Sequence, residues 1–132
     1  MKAVVLALLL VASLSAFSDE LVKKYSIEVL REGNEGTKPT KGTRVQMHYE
    51  GKLKDGSVFD SSYSRNSPLP VSIGSGQVIK CWDEVGLQME VNAKVVVLCP
   101  SDTAYGSRNV GPIPANSDLI FTIERVEWSI SK

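Results

Sequence analysis

The chain has 132 residues, with 15 Lys and Arg balanced by 15 Asp and Glu, and 42% of its residues are hydrophobic. A formal charge of zero argues against binding to nucleic acids or to anionic membranes, because both depend on an excess of basic groups. The apolar content and low net charge also exclude intrinsic disorder, and they predict one compact domain with a packed core.

The first 18 residues form a segment that differs from the rest of the chain. Lys2 is followed by an uncharged apolar stretch that ends in small residues around Ala16 and Ser18. This three-part pattern is typical of a secretory signal peptide and predicts cleavage after Ser18 or after Ala16. The competing interpretation is a permanent membrane anchor, but the stretch is shorter than the roughly 20 apolar residues that span a bilayer.

We therefore expect a cleavable signal peptide over 1–18, a single domain over 19–132, and no membrane association after cleavage. The mature protein is expected in the secretory pathway. The chain carries no Lys-Asp-Glu-Leu type retrieval signal, so residence in the endoplasmic reticulum lumen and secretion both stay open.

Most of the remaining chain is predicted to form β-strands. Six segments have either alternating apolar and polar residues or a β-branched apolar run, and these patterns predict strands. They are, in chain order, 25–29, 45–53, 58–60, 71–73, 95–99 and 119–128. The run Val95–Cys99 suits a strand that is buried on both faces.

One helix is predicted over 78–89, because Val78, Trp82, Val85 and Met89 recur at spacings of three and four residues. The strands do not alternate regularly with helices. This organisation predicts an α+β fold with mostly antiparallel strand pairing.

The sequence carries no pattern typical of a metal centre or of nucleophilic catalysis. His48 is the only histidine, and it lies on the predicted polar, solvent-facing side of its strand. Cys81 and Cys99 have no second Cys or His pair that would complete a tetrahedral zinc site. Gly74 and Gly76 lack the third glycine of a dinucleotide-binding fingerprint and are predicted to form a turn. We therefore expect no cofactor.

Several short motifs along the chain together resemble one enzyme family. They are His48-Tyr49-x-Gly51-x-Leu53-x-Asp55-Gly56-x-x-Phe59-Asp60-Ser61-Ser62, Gly76-Gln77-Val78-Ile79-x-x-Trp82, Ala104-Tyr105-Gly106 and Ile113-Pro114. Their residues and their order resemble the FKBP-type peptidyl-prolyl cis-trans isomerases, the macrolide-binding immunophilins, and the resemblance extends from about Gly33 to Trp128. With the predicted signal peptide, it implies a secretory-pathway member of that family.

The resemblance implies an antiparallel half-barrel of five to six strands wrapped around one short α-helix, with a pocket between helix and sheet. It implies two catalytic residues, Asp60 and Tyr105, of which Tyr105 donates its hydroxyl to a substrate carbonyl. It also implies that Trp82 forms the pocket floor and that the backbone N–H of Ile79 binds a second carbonyl. The implied substrate-binding residues are Tyr49, Phe59, Arg65, Val78, Ile79, Trp82, Ile113 and Phe121.

The implied activity is rotation of X-Pro peptide bonds in folding client proteins by a monomer. Its partners would be proline-containing peptides or unfolded proteins, with macrolides as a further ligand class. The alternative is a non-catalytic module that binds proline loops or macrolides in the same pocket. The loop 107–114 lacks the aromatic or histidine contact of the best-known members, and Leu69 stands where Phe is common, so macrolide affinity stays open.

The state of the two cysteines also stays open. In the implied fold, the helix that carries Cys81 packs over the strand that ends at Cys99. The thiols either pair, as an oxidising compartment favours, or remain as two buried free cysteines. A bridge requires the two Cα atoms to lie within roughly 7 Å, which the sequence does not fix.

Overall fold

The computed structural model describes residues 16–127. Its helices and strands are α1 (Asp19–Tyr25), β1 (Glu28–Arg31), β2 (Arg44–Leu53), β3 (Val58–Ser61), α2 (Ser62–Arg65), β4 (Leu69–Ser72), α3 (Lys80–Gly86), β5 (Lys94–Cys99), a 3₁₀ turn (Ser101–Thr103) and β6 (Leu119–Val126). Over this range, none of the helices has the length and apolar character needed to cross a membrane.

The strands form one antiparallel sheet in the order β1-β5-β6-β2-β3, and β4 pairs with the first half of β2. Strand β2 is the longest, and it pairs with β6 along most of its length. Its other edge passes from β4 to β3, and between them the Tyr49 N–H donates to the Ser62 hydroxyl at 2.7 Å. The predicted α+β antiparallel fold is thus confirmed.

Helix α3 is shorter than the predicted helix over 78–89. Ile79 has extended backbone torsions at the start of α3, and the helix ends at Gly86. Beyond it, Gln88 and Met89 donate to carbonyls three residues back, as in consecutive tight turns. Met89 is fully buried although it lies outside the helix. The apolar spacing beyond Gly86 therefore reflects burial of a turn, and the predicted length was wrong.

The predicted strand at the N-terminal end was also partly wrong, because Tyr25 is the last residue of helix α1 and the strand begins at Glu28. The Ser18 hydroxyl accepts a hydrogen bond from the Leu21 N–H and caps this helix. Acidic residues in its first turn and lysines in its last turn complement the helix dipole. Ser26 then ends the helix in a left-handed conformation.

Two residues that the sequence analysis assigns to the signal peptide belong to the folded domain. Phe17 is 6% exposed and lies in the hydrophobic core. The Ser18 backbone N–H donates to Gln88 Oε1 at 2.8 Å, just beyond α3. The apolar stretch before Ser15 and the end of the last predicted strand at Trp128 lie outside the described residues.

The core lies between α3 and one face of the sheet. In β5 the residues Val95, Val97 and Cys99 are fully buried, whereas the intervening residues are only half-buried. The expectation that both faces of β5 are buried was therefore wrong, because its second face has no layer over it. A disulfide joins Cys81 in α3 to Cys99 in β5, with the Cα atoms 5.7 Å apart.

The other face of the sheet carries a polar group of side chains. Tyr63 donates its hydroxyl to Glu124 Oε1 at 2.7 Å, and Arg31 pairs with Glu124 Oε2 at 2.7 Å. We call Tyr63, Glu124 and Arg31 the outer-face triad. His48 stacks on the Tyr63 ring at 4.6 Å and lies 2.7 Å from the Ser62 hydroxyl. His48 is thus half-buried and paired, unlike the solvated residue expected from its polar face.

Candidate active site

A cavity of about 410 Å³ opens between the core face of the sheet and the segment that leads into α3. Its walls come from β2, β3, β4 and β6, from residues 77–82, and from the loop after the 3₁₀ turn. Eight of the residues predicted to form the site line it, namely Tyr49, Phe59, Asp60, Val78, Ile79, Trp82, Tyr105 and Phe121.

The floor and one wall of the cavity are aromatic. Trp82 is 5% exposed, and its ring meets Tyr49 and Phe121 edge to face at centroid distances of 5.1 and 5.4 Å. Phe59 meets Phe121 edge to face at 5.7 Å. Edge-to-face pairs of this kind add stability beyond area burial, so the four rings hold one another in fixed orientations.

Gly51 in β2 makes this aromatic wall possible. A Cβ atom at this position would lie 2.5 Å from Phe59 Cζ and 2.8 Å from Phe121 Cε1. Any larger residue would therefore push the two rings away from the strand. Gly51, which stands in the first motif of the sequence analysis, thus has a packing role beside the cavity.

The polar side of the cavity is a group that we call the pocket triad, which consists of Tyr49, Asp60 and Arg65. The Tyr49 hydroxyl donates to Asp60 Oδ2 at 2.5 Å, and Arg65 Nη1 pairs with Asp60 Oδ1 at 2.5 Å. Arg65 Nη2 also donates to the Tyr49 hydroxyl at 3.0 Å. The short helix α2 follows β3 directly and brings Arg65 back over Asp60. Arg65 itself does not line the cavity.

These contacts fix the protonation states of the pocket triad. Burial, followed by the hydrogen bond to Asp60, raises the pKa of Tyr49. Partial burial alone would raise the pKa of Asp60, but the hydrogen bonds from Tyr49 and Arg65 and the charge of Arg65 lower it. At neutral pH the cavity therefore presents a neutral phenol and a carboxylate whose charge is already balanced.

Several donors at the cavity, including the buried Trp82 indole N–H, have no partner within residues 16–127, and two of the others suit peptide carbonyl groups. The Tyr105 hydroxyl is one, and the backbone N–H of Ile79, in extended backbone just before α3, is the other. The loop of Tyr105 is held by hydrogen bonds from Gly106 N–H to the Ser101 carbonyl at 2.8 Å and from Arg108 N–H to the Tyr105 carbonyl at 3.2 Å. Both donors are thus fixed in place and free to bind carbonyl oxygens.

The structure does not place Ile113 in the cavity wall. Its side chain is 5% exposed in the core, and its backbone exchanges two hydrogen bonds with Val110. Ile113 therefore anchors the loop to the hydrophobic core. Conversely, four lining residues were absent from the predicted site, namely Leu69, Gln77, Ala104 and Arg108. Gln77 and Ala104 stand inside the quoted motifs, so motif position was a usable signal for these two.

An aromatic floor, two unpaired donors and a balanced carboxylate define a pocket that holds an apolar ring between flanking carbonyl groups. Proline in a peptide is such a ring. No group of three or more His, Cys, Asp or Glu that could hold a metal ion occurs over the described part of the chain.

Comparisons with known proteins agree with this class of site. The sequence profile of the FKBP-type peptidyl-prolyl cis-trans isomerases matches residues 35–126. The chain is 56% identical over 90 residues to FK506-binding protein 2 of Aspergillus oryzae, covering 67% of each protein. It is 46% identical to peptidyl-prolyl cis-trans isomerase Fkbp12 of Drosophila melanogaster, covering 70% of this chain and 86% of that protein.

Among solved structures, the crystal structure of AtFKBP13 matches with a TM-score of 0.73 and 37% identity, covering 78% of this chain and 91% of that one. The chain belongs to the FKBP-type peptidyl-prolyl cis-trans isomerase family. The predicted family, fold and enzyme class are confirmed, and the enzyme is favoured over the non-catalytic module.

Proposed function

We propose that this isomerase turns X-Pro bonds in folding client proteins, with the proline ring packed on Trp82. The observation that carries this assignment is the pair of unpaired donors, Tyr105 hydroxyl and Ile79 N–H, beside an aromatic floor. The two donors would bind the carbonyl groups that flank the proline, while the floor holds the ring.

The reaction requires only a modest rate acceleration, which this geometry can supply. Rotation of a peptide bond faces a barrier of about 18–20 kcal/mol because it breaks amide resonance. The uncatalysed event takes about 10–100 s. Shortening it to milliseconds needs roughly a 10⁴-fold acceleration, or about 5.5 kcal/mol. A few interactions that are stronger with the twisted bond than with the planar bond supply that amount.

The pocket offers such interactions. A planar amide is strongly polar and well solvated in water, so an aromatic cavity favours the twisted form in which resonance is lost. Fixed donors aimed at the carbonyl oxygens then hold this form without reorganising. The pocket triad keeps Tyr49 in the wall and Asp60 ionised, and Asp60 lines the same cavity.

We propose that macrolides compete for the same cavity, because relatives of this chain are named FK506-binding proteins. A cavity of about 410 Å³ falls within the roughly 300–1,000 Å³ that is common for small-molecule sites. The resemblance places Leu69, which lines the cavity, where Phe is common. We therefore expect weaker macrolide binding than in relatives that carry Phe at this position.

A protease-coupled isomerisation assay on proline tetrapeptides tests the proposal. We expect catalysed isomerisation that FK506 inhibits in competition with the peptide. Catalysis that FK506 leaves untouched would contradict the macrolide proposal, whereas absence of catalysis would contradict the proposed function. Sedimentation of the same sample tests the further proposal that the chain acts as a monomer. We expect the mass of one chain, and the mass of a dimer would contradict it.

We also propose that the protein is processed in the secretory pathway. The N-terminal pattern supports this, and so does the Cys81–Cys99 disulfide, because disulfides persist in oxidising compartments. Of the two predicted cleavage sites, the one after Ala16 is compatible with retention of buried Phe17 and of the Ser18 cap. Cleavage after Ser18 would remove both.

Mass spectrometry of protein from its native source tests this processing. We expect a mature N-terminus at Phe17. An N-terminus at Asp19 would contradict the choice of site, and an intact Met1 in a cytosolic fraction would contradict the compartment. As a matched stability test, a chain that begins at Asp19 should unfold more readily than one that begins at Phe17, since it lacks a buried aromatic side chain.

A further inference from the structure

The pocket lining contains one acidic and one basic residue, Asp60 and Arg108. They differ in how their charges are balanced. Asp60 accepts hydrogen bonds from Tyr49, Arg65 and the Ser61 N–H, and Arg65 neutralises its charge at 2.5 Å. A peptide in the cavity therefore meets little net negative charge from Asp60.

The charge of Arg108 is not neutralised by a neighbouring group in this way. Among residues 16–127, no carboxylate lies within 4.0 Å of its guanidinium, and its side chain makes no hydrogen bond. It is exposed at the rim of the cavity. The remaining rim side chains, such as Leu69 and Gln77, are uncharged. The mouth of the pocket thus carries one uncompensated positive charge.

The loop holds Arg108 in a defined place. Its backbone N–H donates to the Tyr105 carbonyl, which closes a turn directly after the proposed carbonyl donor. The next residue, Asn109, accepts a hydrogen bond from the Ala115 N–H at 2.8 Å and braces the loop. The guanidinium therefore starts from a fixed backbone position, three residues from the hydroxyl that would hold the peptide beside the proline.

We propose that Arg108 makes this isomerase select proline peptides with a carboxylate side chain next to the proline. The inference rests on the pocket proposed above. A guanidinium presents a planar fork of donors that matches a carboxylate, and it keeps its charge at every physiological pH. Basic peptides would meet repulsion at the same rim, because Asp60 is already paired.

Exchange NMR on proline pentapeptides tests this selectivity without a coupling protease, whose own sequence preference would interfere. One pair of peptides carries Glu or Gln directly before the proline, and a second pair carries Glu or Gln directly after it. Glu and Gln have nearly the same shape and differ in charge. We expect a kcat/KM ratio of Glu to Gln of about two to five in at least one pair, as for an exposed ion pair.

The ratio should fall to one in Arg108→Gln, fall below one in Arg108→Glu, and shrink in 0.5 M salt through screening. The matched control is Lys54→Gln, which removes an exposed cation outside this pocket. It should leave the ratio unchanged. Because each ratio compares two peptides on one variant, a general loss of activity does not affect it.

Two outcomes would overturn the proposal. A wild-type ratio of one in both peptide pairs, with normal turnover of the Gln peptides, would overturn the selectivity and leave the proposed function intact. A preference for Glu that survives in Arg108→Gln would assign it to another group. Absence of turnover with every peptide would instead count against the proposed function, and the selectivity would fall with it.

Discussion

The pocket triad and the outer-face triad have the same chemistry on opposite faces of one sheet. In each, a tyrosine hydroxyl donates to a carboxylate that an arginine also pairs, at 2.5 Å in the pocket and 2.7 Å outside. In each, burial and the bonded carboxylate raise the pKa of the tyrosine, and the pKa of the carboxylate lies below its ordinary value.

The surroundings of the two triads differ. The pocket triad faces a cavity with an aromatic floor and two unpaired donors, whereas the Tyr63 ring of the outer-face triad is covered by His48 and faces solvent. Hydrogen bonding of this kind therefore does not by itself make a site. The cavity beside it does, because only there can a substrate ring leave water and meet fixed donors.

Loss of the aromatic floor should have the largest effect. Trp82→Ala removes a buried side chain that contacts two other rings, so we expect about 3–5 kcal/mol less stability and loss of most activity. Trp82→Phe is the matched control, since it keeps a ring on the floor and should keep part of both. Urea unfolding and kcat/KM on a proline tetrapeptide measure these effects. An unfolding free energy and a kcat/KM that both match wild type would contradict the role of Trp82.

The disulfide should come next, because it ties the helix of the floor to β5 whereas no covalent link holds the outer-face triad. The double variant Cys81→Ala, Cys99→Ala opens a loop with a sequence separation of 18, which corresponds to about 3 kcal/mol in the chain-entropy model. Urea unfolding of the double variant and of wild type under non-reducing conditions measures the difference. Equal midpoints and slopes would show that the bridge does not stabilise the domain.

Removal of one hydroxyl from each triad compares the two faces directly. Tyr63→Phe deletes one hydrogen bond and Tyr49→Phe deletes two, each worth about 0.5–1.5 kcal/mol, so we expect small losses of stability, the larger one in Tyr49→Phe. Only Tyr49→Phe should lower kcat/KM, by at most roughly tenfold. If Tyr63→Phe lowered kcat/KM as much as Tyr49→Phe, the effect would have to act through the sheet rather than through the pocket.

Acid should produce the smallest difference. The pKa of Asp60 and of Glu124 is lower in the folded protein, so each carboxylate stabilises the fold above its unfolded pKa. The unfolded pKa is about 3.9 for Asp and 4.3 for Glu. The contribution is lost as pH falls through the lower folded value.

Asp60→Asn and Glu124→Gln should each reduce the loss of stability between pH 5 and pH 2. Only Asp60→Asn should lower kcat/KM, and by the same factor at every pH above 4, because the lowered pKa keeps Asp60 ionised there. Thermal unfolding across this range and activity measured above pH 4 test both statements. If either variant lost more stability in acid than wild type does, the expected direction of the effect would be wrong.

The sequence was sufficient for the long strands and for most of the pocket. Val45, Met47 and Tyr49 alternate because β2 has a buried face and a solvated face, so their period of two survives in the fold. The pocket residues lie in short motifs whose order resembles a known family. Periodicity gave a wrong prediction where one apolar pattern spans two elements. Tyr25 is buried from the end of a helix, whereas the next residues of the pattern, Ile27 and Val29, lie after that helix.

Features that depend on contacts between distant segments could not be predicted from the sequence. The apolar character of Ile113 does not distinguish a cavity wall from the core beneath it. Its burial depends on how the loop folds, including the two backbone hydrogen bonds between Ile113 and Val110. Arg108 gave no signal, because an exposed arginine in a loop is ordinary until the fold places it at a pocket mouth. The bridge between Cys81 and Cys99 likewise depended on a Cα distance set by packing.

The most direct test of the account combines catalysis and location in one sample. Exchange NMR of a proline tetrapeptide with ¹⁵N-labelled protein reports the rate of isomerisation and the residues that the peptide touches. We predict accelerated exchange, with shift changes at the Ile79 N–H, the Trp82 indole N–H and the Tyr105 loop, and none at Tyr63 or Glu124. Accelerated exchange with shift changes confined to the outer face, or no acceleration at all, would contradict the pocket as the place where the prolyl bond turns.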